Sequence, residues 1–344
     1  MVFSLRIEKV FLKHRFTIAR GSSDFRFNVF AKLEKEGYVG FGLAAPNPRY
    51  GETHESAYAW LQSHLPSLTQ VDFQAYLNWS DAIQKTTPGE YAAKACLEMA
   101  GLDWLGKKYQ LPLYQLLGID PAQMKPTSMT IGIDEVETVK AKVREAHAYQ
   151  VLKIKLGGQN DRAMIQAIRS VSDQILRVDA NEGWKDKETA LREIEWLAHQ
   201  NVELIEQPLH SSQDEEMPWL KERSPLPLIA DESFANARDI PRLHAGFHGV
   251  NLKLMKCGGI LAGLQAIHMA KALDLQIMLG CMVESGLGIA AAAHLAPLVD
   301  YVDLDGNLLL AEDPWTAHPV VDGCIQLRKQ PGLGVGPAQS SFMA

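Results

Sequence analysis

The sequence predicts an α/β chain in which a small α+β unit precedes a (β/α)8 barrel. Three observations carry that reading. The residue pattern changes at about position 126, eight short apolar runs recur beyond it, and nearly every run has a charged residue at or near its end.

The α+β unit is read from the first part of the chain. Ser4–Lys13 and Phe27–Leu43 alternate like strands, and between them Thr17–Arg26 is polar and reads as a mobile loop. Glu55–Leu65 and Tyr91–Tyr109 carry helical periodicity. Strands followed by helices suit a small α+β domain.

The barrel is read from the rest. The runs are Ser128–Ile133, Val151–Leu156, Ile175–Asp179, Val202–Glu206, Leu226–Asp231, Val250–Met255, Ile277–Met282 and Tyr301–Asp305. Amphipathic stretches of helix length, such as Glu135–Tyr149 and Lys187–Gln200, separate them. Eight strands alternating with helices fit a (β/α)8 barrel, or one with seven proper helices. An open doubly wound sheet is the rival, but it wants a glycine-rich turn after its first strand. Here Gly157-Gly158 follows the second strand, and no GxGxxG occurs.

Composition excludes several classes. The 344 residues are 47% hydrophobic and 22% charged, which is enough for a large core or two domains. A net charge of -7 argues against nucleic-acid binding, since a phosphate-reading surface is normally basic. The opening MVFSLRIEKV lacks the apolar core of a signal peptide, and no apolar stretch is long enough to span a bilayer. Cys96, Cys257, Cys281 and Cys324 are widely spaced, so reduced thiols and a cytoplasmic location are expected rather than a disulfide framework or structural zinc.

In a barrel, catalytic groups sit at the C-terminal strand ends. The second run supplies Lys153 and Lys155, the third Asp179, the fourth Glu206 and the fifth Asp231. The sixth supplies Lys253, the seventh Glu284 and Ser285, and the eighth Asp303 and Asp305. Buried charges are costly unless they are paired or bound to metal. Asp179, Glu206 and Asp231 come from adjacent strands, about 4.8 Å apart, so they can converge on one ion. All-oxygen ligands suit magnesium. The rival reading has each acid capping the helix that follows it. Lys153 and Lys155 share a strand face, and Lys253 lies across the barrel, so a base stands on each side of whatever the metal holds. A lysine near a divalent cation and other lysines has its neutral form favoured and can act as a base. The rival here is that the lysines only balance the acids. Lys256 has the opposite strand parity or lies just past the strand.

The motifs Lys153-Ile-Lys155, Asp179-Ala-Asn181, Glu206-Gln-Pro208, Asp231-Glu-Ser233 and Asn251-Leu-Lys253-Leu-Met-Lys256 resemble the enolase superfamily, and within it the muconate-lactonizing subgroup. The resemblance spans almost the whole chain, including Ala92–Leu117. It implies a modified, TIM-like (β/α)8 barrel of residues 121–314 and an α+β capping domain of residues 1–120, with 315–344 packing back on the cap. It also implies that Lys155 and Lys253 are the two bases, that Asp179, Glu206 and Asp231 hold one Mg2+ per active site, and that Asn181 and Lys256 support them.

Asp303-Leu-Asp305-Gly306 looks like the Asp-x-Asp motif of dipeptide epimerases, where the aspartates hold the substrate's ammonium. Two same-face carboxylates suit that task, although they would also suit water or a lysine. Gly280-Cys-Met-Val-Glu-Ser285 and the following Gly-Leu-Gly are similar to Ala-Glu-type epimerases. The resemblance therefore implies epimerisation of a dipeptide's C-terminal residue by two-base 1,1-proton transfer through an enediolate, with L-Ala-D/L-Glu the first candidate. Lys153, Thr130, Glu284, Ser285, Asp303 and Asp305 are the expected substrate contacts.

Two features depart from the pattern. Glu182 stands where many relatives have Gln. The lid arginine that faces a substrate carboxylate has two candidates, Arg20 and Arg26, and Arg20 is preferred. The rival functions are o-succinylbenzoate synthesis or cycloisomerisation on the same scaffold, and a catalytically silent ligand-binding barrel. A homo-oligomer is compatible with every reading.

Overall fold

The computed structural model describes residues 1–72, 74–158 and 160–339. The chain opens with a three-stranded antiparallel sheet, β1 (Val2–Ile18), β2 (Gly21–Lys35) and β3 (Tyr38–Ala44), in the order β1-β2-β3. Helices α1 (His54–Leu68), α2 (Tyr76–Gln84), α3 (Tyr91–Tyr109) and the short α4 (Leu113–Leu116) follow. Helix α3 is apolar nearly all round, and Ala92–Gly106 are buried without a break, as expected of a helix at the centre of a core. Strand β3 lies directly on it. A Cβ at Gly42 would stand 1.9 Å from the Cys96 carbonyl oxygen, and one at Gly40 would stand 2.0 Å from that of Ala100. Only glycine permits that approach.

The barrel then runs β4 (Ser128–Ile131), α5 (Val136–Glu145), β5 (Val151–Lys155), α6 (Asp161–Arg169), β6 (Ile175–Asp179), α7 (Lys187–Ala198), β7 (Val202–Glu206), α8 (Met217–Arg223), β8 (Leu228–Ala230), α9 (Ile240–Leu243), β9 (Gly249–Leu252), α10 (Leu254–Cys257), α11 (Ile260–Ala272), β10 (Gln276–Gly280), α12 (Gly286–Ala293) and β11 (Tyr301–Asp303). Strands β4 to β11 pair in sequence order, each parallel to the next. A parallel bridge between Thr127 and Val302 joins the first strand's edge to the last. The fold is thus the modified barrel with a capping domain, and not the open sheet.

Local chemistry explains the outer helices. In α7 the Asp186 carboxylate caps Thr189 N at 2.7 Å, and Ala190, Ile194 and Leu197 recur on the buried side. Inside the barrel, Leu204, Ile229 and Met278 form an apolar plug. Two residues further along the same strand faces stand Glu206, Asp231 and Gly280. The alternation of a strand therefore sets the charged layer directly above an apolar one.

Among the described residues no barrel helix follows β11. The chain returns over the N-terminal unit through the hairpin β12 (Val320–Val321) and β13 (Cys324–Ile325). Trp315 stacks on Phe30 with ring centroids 5.9 Å apart and meets Phe41 edge-on at 4.8 Å. Leu333 N donates to Asp103 Oδ1 at 2.8 Å. Residues 340–344 of the segment expected to pack back lie outside the described residues.

Two expectations are corrected. Thr17–Arg26 is not a loop. It is the far end of a hairpin, with Phe16 opposite Ser23, Thr17 opposite Ser22 and Ile18 opposite Gly21. This arm is held by register and by its tip contacts rather than by a core face, so it lacks the apolar alternation that marks a strand. Phe27–Leu43 is two strands, because Glu36 and Gly37 adopt positive φ (53° and 77°) and turn the chain.

Candidate active site

The barrel's C-terminal end and the capping segments enclose a cleft of about 620 Å3. Lys153, Lys155, Asp231, Lys253, Asp303 and Asp305 line it from the barrel, with Thr130 and Asn181 beside them. From the cap come the β1–β2 arm, including Arg20 and Arg26, and the loop Ala45–Tyr50.

Asp179, Glu206 and Asp231 each offer an oxygen, and the three oxygens lie within 4.8 Å of one another. All three carboxylates are buried. Lys155 Nζ donates to Asp179 Oδ2 at 2.6 Å, and Lys253 Nζ donates to Asp231 Oδ2 at 2.7 Å. Strands β5 and β9 face each other across the barrel, so the triad sits between the two lysines. Lys153 Nζ reaches Glu206 Oε2 at 2.7 Å, Asp303 Oδ2 at 2.7 Å and Asp179 Oδ2 at 3.2 Å. Lys256, from α10, donates to the Asp231 carbonyl at 2.7 Å and to Asp231 Oδ1 at 2.6 Å, so it buttresses that acid from behind. The sequence left its parity open, and the short helix beginning just after Lys253 accounts for its place.

The electrostatics follow from these contacts. Burial disfavours the charged form of every group here. For Asp179 the two lysines Lys155 and Lys153 outweigh burial and hold the carboxyl below its ordinary value. For Asp231, Lys253 and Lys256 do the same. Burial weighs against the Lys253 cation too, but Asp231, Tyr50 and Glu206 outweigh it and raise its pKa. Glu206 goes the other way, pushed up to about 8 by burial and by the Asp179 charge. Its Oε2 is at ion-pair distance from Lys153 yet accepts no hydrogen bond. Asn181 Oδ1 and Glu232 Oε2 are also buried without a donor. The three converging carboxylates are the all-oxygen set a hard divalent cation needs, and they fit magnesium.

The two aspartates expected to hold an ammonium, Asp303 and Asp305, both line the cleft, with a difference between them. Asp303 is occupied: Oδ2 takes Lys153 and Oδ1 takes Ser128 Oγ at 2.6 Å. Asp305 accepts Thr130 N at 2.6 Å, and burial and the Asp303 charge push it up to about 6. Asn251, two residues before Lys253, is a further member of the site. It donates Nδ2 to Glu206 Oε1 at 2.8 Å, and a Cβ at Gly280 would collide with it at 2.5 Å. Its spacing of two from Lys253 is the signal that places both on the luminal face. Arg49 and Tyr50 were missed, and nothing local in the sequence marks them.

Two expected contacts are corrected. Glu284 and Ser285 follow β10 but do not line the cleft. Ser285 Oγ bonds Asp313 Oδ1 at 2.5 Å, and its N–H donates to Asn28 Oδ1 at 3.1 Å, tying the barrel to the cap. Glu284 is buried against Gly288, where burial pushes it up to about 8. The chain turns after Val283, and the buried Glu284 carboxylate accepts Met282 N and still feels the Lys253 charge.

Arg20 lines the cleft but is engaged. It reaches Glu232 Oε1 at 2.6 Å, Glu182 Oε2 at 3.2 Å and the Asn181 carbonyl at 2.9 Å. Among the described residues Arg26 bonds only the carbonyl of Phe25, at 2.8 Å, and burial lowers its pKa.

Comparisons with known proteins agree with this geometry. Residues 4–118 match the mandelate racemase/muconate lactonizing enzyme N-terminal domain, and 135–341 match the enolase C-terminal domain-like family. The chain is 40% identical over 327 residues to the L-Ala-D/L-Glu epimerase of Bacteroides thetaiotaomicron, covering 94% of this chain and 85% of that one. It is 39% identical over 341 residues to a hydrophobic dipeptide epimerase of Flavobacteria bacterium MS024-2A, covering 95% and 96%. A crystal structure of the dipeptide epimerase from Cytophaga hutchinsonii, complexed with Mg and D-Ala-L-Val, superposes with a TM-score of 0.91 at 28% identity, covering 99% and 97%. No helix among the described residues is long and apolar enough to cross a membrane. With both halves of the chain matched and the acids, lysines and cap in place, the protein belongs to the mandelate racemase/muconate lactonizing family of the enolase superfamily.

Proposed function

We propose that the chain is a magnesium-dependent dipeptide epimerase that inverts the α-carbon of the C-terminal residue. The observation that carries this is one cleft with a lysine on each side of the acid triad and a further aspartate pair at the eighth strand. In this reading residues 1–120 cap a barrel of 121–314. Asp179, Glu206 and Asp231 hold the ion. When bound, it draws electron density from the substrate's carboxylate and so acidifies the adjacent C–H. Lys155 removes the proton from one face, and Lys253 returns one to the other. The substrate's configuration decides which lysine acts first. Lys153 holds Asp303 and completes the positive wall. Asp305 faces the ammonium, with Asp303 fixing the geometry behind it. Cycloisomerisation or o-succinylbenzoate synthesis would use the same lysines but gives this aspartate pair no task.

The test is a dipeptide library in D2O with magnesium, read by mass spectrometry. Deuterium is expected at the C-terminal α-carbon of free dipeptides and far less with N-acetylated ones. Equal exchange in both sets sinks the ammonium site, and turnover of succinyl-cyclohexadiene substrates alone sinks the dipeptide reading. Asp305 adds a pH signature. Its raised pKa means the carboxyl takes up a proton as pH falls through about 6, and the neutral acid no longer pairs with ammonium. The expected kcat/KM therefore declines below about pH 6. Asp305→Asn should lower kcat/KM roughly tenfold or more at neutral pH, as for a lost charge-assisted bond, and should remove that limb.

For the side chain, Arg26 is the better reader of a carboxylate, because Arg20 already holds two acids. Ala-Glu is the first substrate to try. Arg26→Met should lower kcat/KM for Ala-Glu roughly tenfold more than for Ala-Ala. An equal loss on both would return the role to Arg20 or to no lid arginine.

A further inference from the structure

We infer that Glu182 is a positioning residue: it fastens two separate walls of the cleft to the barrel. It follows β6, and its carboxylate is almost fully buried. Three groups converge on it through four hydrogen bonds. Arg49 forms a bidentate pair, Nε to Oε2 at 3.1 Å and Nη2 to Oε1 at 2.7 Å. Arg20 Nη1 reaches Oε2 at 3.2 Å, and Ser211 N donates to Oε1 at 2.9 Å. The two arginines come from different parts of the cap, the tip of the β1–β2 arm and the loop that carries Tyr50. Both parts line the cleft.

The backbone shows that this placement is imposed. Asn181 and Glu182 are consecutive non-glycine residues at positive φ, 47° and 66°. Such a conformation is strained and persists only where the surroundings fix it. It aims the carboxylate up at the cap rather than along the strand. The arm tip also rests on the barrel at a second point, since a Cβ at Gly157 would lie 3.0 Å from Ala19 Cβ. A neutral glutamine at 182 keeps only one acceptor oxygen, turns a donor NH2 toward donors, and cannot balance two guanidinium charges. The acid thus ties the Arg49 loop to the barrel by charge and shares with Glu232 the hold on the arm's Arg20.

In use, the lock holds the Tyr50 loop and the arm together around the substrate, an assignment that rests on the epimerase reading. Its test starts without substrate. Hydrogen exchange of residues 16–26 and 47–51 should quicken roughly fivefold or more in Glu182→Gln, with barrel strands unchanged. Glu182→Asp should recover part of the protection. In turnover, KM should rise roughly tenfold while kcat changes less than about threefold. Arg49→Met added to Glu182→Gln should cost little more. Unchanged exchange in the two segments overturns the lock. So does exchange that quickens equally throughout the barrel, because the residue would then only support the fold. If the two segments loosen but no dipeptide is turned over, the lock stands and the epimerase reading falls.

Discussion

Asp231→Asn is expected to abolish turnover and to remove measurable magnesium binding in a calorimetric titration. Glu206→Gln and Asp179→Asn should act alike. Asp231 is held by Lys253 on one oxygen and by Lys256 on the other. The amide that replaces it leaves both lysines facing a neutral group in a buried site, where unpaired charge is costly. It also takes one anionic ligand from a set of three. Metal ions supply several kcal/mol of charge stabilisation, and a loss of about 4 kcal/mol corresponds to about a thousandfold in rate. Excess chelator should do the same to the unaltered protein. Full turnover in chelator, or normal magnesium affinity in all three variants, rules out the triad as the metal site.

The second large effect concerns the bases. A positioned acid or base contributes about 10²–10⁴-fold, and losses of that size are expected from Lys155→Ala and Lys253→Ala. The distinctive outcome is stereochemical. Each variant should stop wash-in of solvent deuterium from one substrate configuration while the other configuration still exchanges, because one lysine remains on its own face. The contacts support this symmetry, since each lysine leans on a different acid of the triad from an opposite strand. If both variants lose exchange from both configurations equally, one lysine is not a base. If neither loses it, the assignment fails entirely. Raised substrate KM with intact exchange points instead to a binding role.

Much of this was legible in the sequence because barrel strands are short and end where chemistry begins. Strand parity alone set Lys153 with Lys155, and Asp303 with Asp305, on the same faces, and the structure keeps them there. What escaped was set by contacts between distant segments. Ser285 belongs to the seventh strand's motif, but the turn after Val283 carries it to meet Asn28 and Asp313. The partners of Arg20 stand more than 160 residues away, so its engagement could not be read locally. The arm at 17–26 read as a loop because its residues pair across the hairpin without a common buried face.

The packing of Trp315 against Phe30 and Phe41 has a consequence for synthesis. The first strands and helices leave the ribosome early, yet part of their core is supplied by the distant segment that carries Trp315 and Leu333. Until that segment is made, the N-terminal unit exposes the aromatic surface that Trp315 will cover. Its completion waits for the barrel, so the two halves reach their final form together and the cap does not mature as an independent unit.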